Sequence, residues 1–88
     1  MTLRDKIGEW IADYAVEDIL LADGLDEAFI GMTDKGVAIY DIRKCILTLM
    51  LKHEWSEEEA QEWMDFNVLD AYVGDKTPVY VYTFDEGD

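Results

Sequence analysis

The sequence predicts a single α+β domain spanning residues 1–88, in which three helices pack on one face of a three-stranded, mainly antiparallel sheet in the order α-β-β-α-α-β. The length of 88 residues is that of one small domain. Hydrophobic residues make up 50% of the chain, which is enough for a modest core despite a net charge of −14. Segments with helical periodicity are interleaved with short runs of β-branched and aromatic residues, and this succession gives the predicted order.

Three segments have the apolar periodicity of helices, and each begins after a residue that favours helix N-termini. These capping residues are Thr2, Asp41 and Ser56. Ser56 and Glu59 also have the spacing of a capping box, in which each side chain accepts a hydrogen bond from the backbone N–H of the other residue. The helices are expected at about 3–21, 42–53 and 56–72.

The end of the first helix can be placed in two ways. Gly24 favours a helix that continues to about residue 21, because glycine commonly follows a helix C-terminus. The Asp23-Gly24 pair is equally consistent with a turn that follows an earlier break near Val16.

Three short runs have the composition of strands. The segment 33–36 between the first two is a four-residue hairpin connection, with Gly36 available for a left-handed backbone conformation. The strands are expected at about 27–32, 37–41 and 79–84. Residues expected in the core are Ile7, Ile11, Ile30, Ile39, Ile46, Leu49, Trp63 and Val81.

The negative charge is unevenly distributed along the chain. Residues 53–75 contain eight acidic residues and no lysine or arginine, whereas residues 35–52 carry a net positive charge. A strongly negative field repels phosphate backbones and anionic membranes and attracts cationic surfaces. We therefore expect neither nucleic-acid nor membrane binding, and a protein partner with a basic surface. The alternative is that the acids serve solubility alone.

Residues suited to catalysis or metal binding are sparse, so the chain is not expected to be an enzyme or to hold a metal or cofactor. Cys45 is the only cysteine and His53 the only histidine, which leaves no cluster with metal-ligand spacing. The six glycines are scattered and form no phosphate-binding loop. Without a disulfide pair, signal peptide or membrane-length apolar run, a cytoplasmic location is expected.

The third helix carries the main candidate binding site. Glu58, Glu62 and Asp65 recur at spacings of four and three, and like charges at these spacings destabilise a helix by a few tenths of a kcal/mol per pair. Because no lysine compensates them, these acids are expected to form a surface that binds a basic partner. The alternative is that the acids at its start only stabilise the positive end of the helix dipole. The predicted partner-binding residues are Glu57, Glu58, Glu62, Asp65 and Asp70.

The last strand provides an alternative interface. Tyr80, Tyr82 and Phe84 alternate along it and would lie on one face, where an exposed aromatic row could support a homodimer. Asn67 lies on the apolar stripe of the third helix, and its amide is expected to hold a neighbouring loop such as residues 74–78.

Four segments carry a recognisable pattern: SEEEAQEWMDFNV at 56–68, AYVG at 71–74, TPVYV at 77–81 and YDIRKCI at 40–46. These segments resemble a family of small acidic proteins of tailed phages and prophages. Members of that family share an E-E-A-x-E-[WY]-x-x-[FY]-N pattern, followed by a T-P pair before a hydrophobic strand. The resemblance covers about half of the chain. It implies an origin in a phage and a location in the cytoplasm of the infected bacterium, and it transfers no activity.

Charge and resemblance together predict a small acidic phage-type protein that inhibits a basic host protein, such as a nucleic-acid-handling or defence complex. Its carboxylates would lie where DNA phosphates otherwise bind, as in DNA mimicry. The alternative is a phage accessory or structural protein that self-associates through its aromatic C-terminal strand.

Overall fold

The helices and strands follow the predicted order. A computed structural model describes residues 1–69 and 71–84. Within this part, α1 is Leu3–Ala12, β1 is Phe29–Met32, β2 is Ala38–Asp41, α2 is Ile42–His53, α3 is Glu57–Met64 and β3 is Val79–Val81. A 3-10 turn at Asp26–Ala28 precedes β1, and a π-helical turn at Asp65–Leu69 continues α3. The predicted α+β class is confirmed.

The sheet has the strand order β1-β2-β3 and is mixed. β1 and β2 are antiparallel neighbours, and Phe29 lies opposite Tyr40. β2 and β3 run parallel, with Tyr40 beside Tyr80. Parallel neighbours require a long crossover, because a tight turn reverses the chain. The α2–α3 pair provides this crossover. Helix α3, which carries the predicted acidic binding residues, therefore lies between β2 and β3 in sequence.

The hairpin between β1 and β2 forms as predicted. Gly36 has φ +80°, a conformation that glycine adopts without strain. The backbone N–H of Thr33 donates to the carbonyl of Val37 at 2.8 Å, and the Thr33 hydroxyl accepts from the N–H groups of Lys35 and Val37.

The first helix is shorter than one of the two placements predicted. It ends at Ala12, followed by a turn in which Ala15 has φ +59°. The prediction of a helix to residue 21 is wrong. The alternative is confirmed, because the helix breaks early and a turn forms at Asp23-Gly24. Continuing the helix would place Glu17 and Asp18 at its negative end with no basic residue in the last turn.

Three further boundaries differ from the prediction. The first strand was expected from residue 27, but Asp26–Ala28 form a 3-10 turn and β1 begins at Phe29. The third helix was expected to reach residue 72, but its α-helical part ends at Met64 and the π-helical turn ends at Leu69. The last strand was expected to reach residue 84, but it ends at Val81. Beyond it, the hydroxyl of Thr83 donates to Oδ2 of Asp41 at 3.1 Å. This side-chain contact, and not further backbone pairing with β2, attaches the segment after β3.

The main core lies between β2 and the helices α2 and α3. Tyr40 is fully buried, and its ring stacks on that of Tyr80 at a centroid distance of 5.5 Å. The buried residues of this cluster are Leu25, Ala28, Ala38, Tyr40, Cys45, Leu49, Ala60, Met64 and Val68. The buried side chains of Ile7 and Ile11 face inwards from α1.

Most of the residues predicted for the core are buried or half-buried. Ile7, Ile11 and Leu49 are buried, and Ile39, Ile46, Trp63 and Val81 are half-buried. The prediction for Ile30 is wrong, because this side chain is 41% exposed. The pairing of β1 with β2 shifts register between Phe29 and Gly31, which leaves Ile30 as an extra residue without a partner. Such a bulge interrupts the alternation from which its burial was predicted.

Candidate functional site

The junction between α2 and α3 positions the candidate site. After His53, Glu54 takes a left-handed conformation with φ 56° and ψ 39°. The N–H of Trp55 then donates to the carbonyl of Met50 at 3.2 Å, which closes the end of the helix. Trp55 is therefore held between the two helices, half-buried and packed against the core.

The start of α3 is fixed by the predicted capping box. The N–H of Ser56 donates to Oε1 of Glu59 at 3.0 Å, and the N–H of Glu59 donates to the hydroxyl of Ser56 at 3.2 Å. These two bonds satisfy backbone donors that have no partner within the helix. The carboxylates that follow are thus presented on a helix with a defined beginning. On the opposite side of α3, Ala60 and Met64 are buried in the core.

Four of the five predicted acidic residues are exposed on α3 and the turn that follows it. Glu57, Glu58, Glu62 and Asp65 are all exposed, and we call these four residues the acidic face. Asp65 accepts a hydrogen bond from Nε2 of Gln61 at 3.0 Å, which leaves its charge uncompensated. The fifth predicted residue, Asp70, lies outside the described residues.

The ion pairs among the described residues lie away from the acidic face. Arg4 contacts Asp26 at 2.7 Å and Asp23 at 3.3 Å, and the hydrogen bond to Asp26 is the main cause of its raised pKa. Lys52 contacts Glu27 at 3.4 Å. All three pairs stabilise the loop at 23–27. No lysine or arginine of the described chain pairs with α3.

A shallow pocket adjoins the acidic face. Its volume is about 330 Å³, and we call it the aromatic pocket. The rings of Trp55 and Trp63 are 6.3 Å apart at an angle of 45°, and the ring of His53 stacks on Trp55 at 4.4 Å. The residues that line the pocket are Trp55, Glu59, Glu62, Trp63, Phe66 and Asn67. Glu62 thus belongs to both the acidic face and the aromatic pocket.

Phe66 was not identified from the sequence as a candidate site residue. Its side chain is 81% exposed although it is a large apolar group. It lies four residues after Glu62, on the same side of the helix, and it is off the buried stripe of Ala60 and Met64. That helical phase could have revealed it, because an exposed aromatic among acids is typical of a binding surface.

Asn67 does not hold the loop that was expected. Its Nδ2 donates to the carbonyl of Trp63 at 3.2 Å, from the π-helical turn back to the last turn of α3. The loop is held instead by Thr77, whose hydroxyl donates to the carbonyl of Gly74 at 2.6 Å and accepts from the N–H of Val73 at 2.9 Å. Insertions of this π-helical kind occur frequently at functional sites. Here, Asn67 lines both the aromatic pocket and a mainly apolar groove of about 460 Å³ beside it.

The aromatic residues of the C-terminal segment do not form one row. Tyr80 packs against the core, whereas Tyr82 and Phe84 are 67% and 88% exposed and follow the end of β3. The predicted arrangement of all three on one strand face is therefore wrong. Only Tyr82 and Phe84 remain available as an exposed surface.

The buried titratable groups belong to the core. Burial raises the pKa of Cys45 to about 12 and that of Tyr80 to about 12. At neutral pH, the Cys45 thiol is therefore protonated and a poor nucleophile. Among residues 1–69 and 71–84, no group of three or more histidine, cysteine or acidic side chains is placed to hold a metal ion.

Comparisons of the chain with protein-family models, curated proteins and solved structures found no match. Within the described part of the chain, no helix has the length and apolar character needed to cross a membrane.

Proposed function

We propose that the chain is a phage-encoded binding protein that inhibits a basic, nucleic-acid-handling host protein by docking its acidic face where DNA phosphates bind. The observation that carries this proposal is the exposure of Glu57, Glu58, Glu62 and Asp65 without an ion pair among the described residues. Binding, and not catalysis, is the proposed activity.

The density of charge on the acidic face supports mimicry of DNA. Glu57 to Asp65 covers about 12 Å along the helix axis at about 1.5 Å per residue, so its four acidic residues follow one another at an average axial rise of about 4 Å. One strand of duplex DNA carries about one phosphate per 3.4 Å. A cleft that binds one DNA strand would therefore meet a similar density of negative charge.

The net charge of the whole chain adds a long-range contribution. With −14 overall, the protein attracts a basic surface from beyond contact distance and increases the rate of encounter. The resemblance to small acidic phage proteins supports the same proposal, because it implies a setting in which basic host proteins are targets.

The proposal is tested by displacement of DNA. The tagged protein captures binding proteins from a bacterial lysate, and each captured protein is purified and loaded with a fluorescent DNA duplex. Addition of the wild-type chain should release the duplex, measured as a fall in fluorescence anisotropy. A reversed-face variant, with lysine at Glu58, Glu62 and Asp65, should not release it.

A matched variant controls for the change in net charge. Glu9, Asp13 and Glu17 are equally exposed but lie on α1 and the loop after it. Their replacement by lysine, which we call the control variant, changes the net charge by the same amount. It should still displace the duplex. If no captured protein exchanges DNA for the wild-type chain, DNA mimicry is ruled out for those partners.

The exposure of Tyr82 and Phe84 favours a second candidate, self-association as a phage accessory protein. Sedimentation equilibrium at low and high salt separates the two functions. A homodimer built on these aromatic rings should persist at high salt and dissociate on replacement of both by alanine. The DNA-mimic function predicts a monomer at low salt, where the high negative charge repels a second copy.

A further inference from the structure

The aromatic pocket beside the acidic face has a shape and composition that the acidic face alone does not explain. Three aromatic rings and two carboxylates line this shallow pocket of about 330 Å³. We propose that this pocket binds one arginine side chain of the partner protein. The proposal rests on the proposed function and specifies which residue of the basic partner is recognised.

The two indole rings supply faces for a planar cation. Trp55 and Trp63 lie 6.3 Å apart and are tilted by 45°, so they form an open angle and do not stack on each other. A cation over an indole face is attracted by the electrons of the ring, and tryptophan is the most favourable aromatic residue for this contact. Phe66 adds a third ring that is largely exposed in the free protein.

The carboxylates select for positive charge. Glu59 and Glu62 are three residues apart on α3 and both line the pocket. The N–H of Ser56 occupies Oε1 of Glu59, and the second oxygen of that carboxylate remains available to a ligand. No lysine or arginine lines the pocket, so its charge is complementary to a cation from outside.

Arginine fits this arrangement better than lysine. Its guanidinium is planar, stacks on aromatic faces and presents five N–H donors, enough to bond to more than one carboxylate oxygen at once. The lysine ammonium is compact and strongly hydrated, and it loses more hydration on entering an aromatic site. An arginine that normally contacts a DNA phosphate would therefore find both a substitute anion and a stacking surface here.

The test is a titration with acetyl-Gly-Arg-Gly-amide, followed through the indole N–H signals in nuclear magnetic resonance spectra. The chain has three tryptophans, and Trp10 lies elsewhere, packed against Tyr14 and Phe29. The peptide should shift the signals of Trp55 and Trp63 and leave that of Trp10 unchanged. The same peptide with citrulline, which is uncharged and nearly isosteric, should produce no shift, and the lysine peptide a smaller one.

A pair of substitutions separates the pocket from general aromatic or electrostatic contacts. Phe66→Ala should weaken binding of the arginine peptide about two- to fivefold, as expected for one exposed cation–π contact. Phe84→Ala removes an equally exposed ring at another place and should leave the affinity unchanged. Both positions are exposed, so neither change is expected to unfold the protein.

Three results would overturn the pocket proposal: no shift of any indole signal, equal shifts of all three, or equal affinity for the arginine and citrulline peptides. The acidic-face proposal has a separate readout. If the wild-type chain still displaces DNA and the reversed-face variant does not, that proposal stands even when the pocket fails. If the indole signals shift but no DNA is displaced, arginine recognition stands and DNA mimicry fails.

Discussion

The hydroxyl oxygen of Tyr40 accepts a hydrogen bond of 2.8 Å from the backbone N–H of Ala22. The ring of Tyr40 is fully buried on the central strand, and Ala22 belongs to the long connection between α1 and β1. Arg4 reinforces the same connection through the carbonyl of Ala22 at 3.3 Å and through Asp26. The segment that fails to continue α1 is thereby attached to the core.

Tyr40→Phe removes only the hydroxyl and should destabilise the protein by about 1–2 kcal/mol, because the N–H of Ala22 loses its partner while half-buried. The free energy of unfolding in urea measures this loss. Hydrogen exchange should accelerate at residues 16–25 more than in α2. An unchanged free energy of unfolding would show that the bond to Ala22 contributes nothing to stability.

Alkaline pH should destabilise the fold through its buried acids. Burial raises the pKa of Cys45 from 9.0 to about 12, and that of Tyr80 from 10.0 to about 12. Because folding favours the protonated forms, their contribution is complete below about pH 9 and is lost as the pH rises towards 12. Urea unfolding at several pH values should show a decline over this range. In Tyr80→Phe, the decline above pH 10 should be shallower, and an identical decline would contradict the assignment to Tyr80.

The start of α3 should depend on the Ser56 hydroxyl. Ser56→Ala removes the acceptor for the N–H of Glu59 and should cost about 1 kcal/mol, within the range for N-caps. Ser56→Asn retains an acceptor at the same position and should remain within a few tenths of a kcal/mol of the wild type. Equal melting temperatures for the alanine and asparagine variants would contradict this role.

Local patterns in the sequence were enough to predict the elements that local interactions determine. The Ser56–Glu59 capping box, the Asp41 cap and the Gly36 turn each involve residues within a few positions of one another, and all three form. The exposure of the acids on α3 followed from the buried stripe on its other side. These parts of the fold and of the site needed no information about distant contacts.

Contacts between distant residues account for most of the errors. Tyr40 and Arg4 hold an irregular connection where periodicity favoured a helix, and the bulge at Ile30 depends on pairing with the next strand. The aromatic pocket combines a residue of the α2–α3 junction with residues one to three turns further along. The helical phase of Phe66 could have indicated that its side chain is exposed. The approach of Trp55 to Trp63 could not be predicted, because it depends on a left-handed backbone conformation at Glu54 that glutamate does not favour.

In the proposed function, the acidic face and not the overall charge holds the partner. Titration calorimetry of one purified captured protein with the wild type, the reversed-face variant and the control variant distinguishes the two contributions. The two variants have the same net charge, so any difference between them depends on the position of the lysines. We expect the reversed-face variant to lose binding altogether. The control variant should bind within about threefold of the wild type, because its substitutions reduce only the long-range attraction. Equal affinities of the two variants for the partner would show that the position of the charges does not matter.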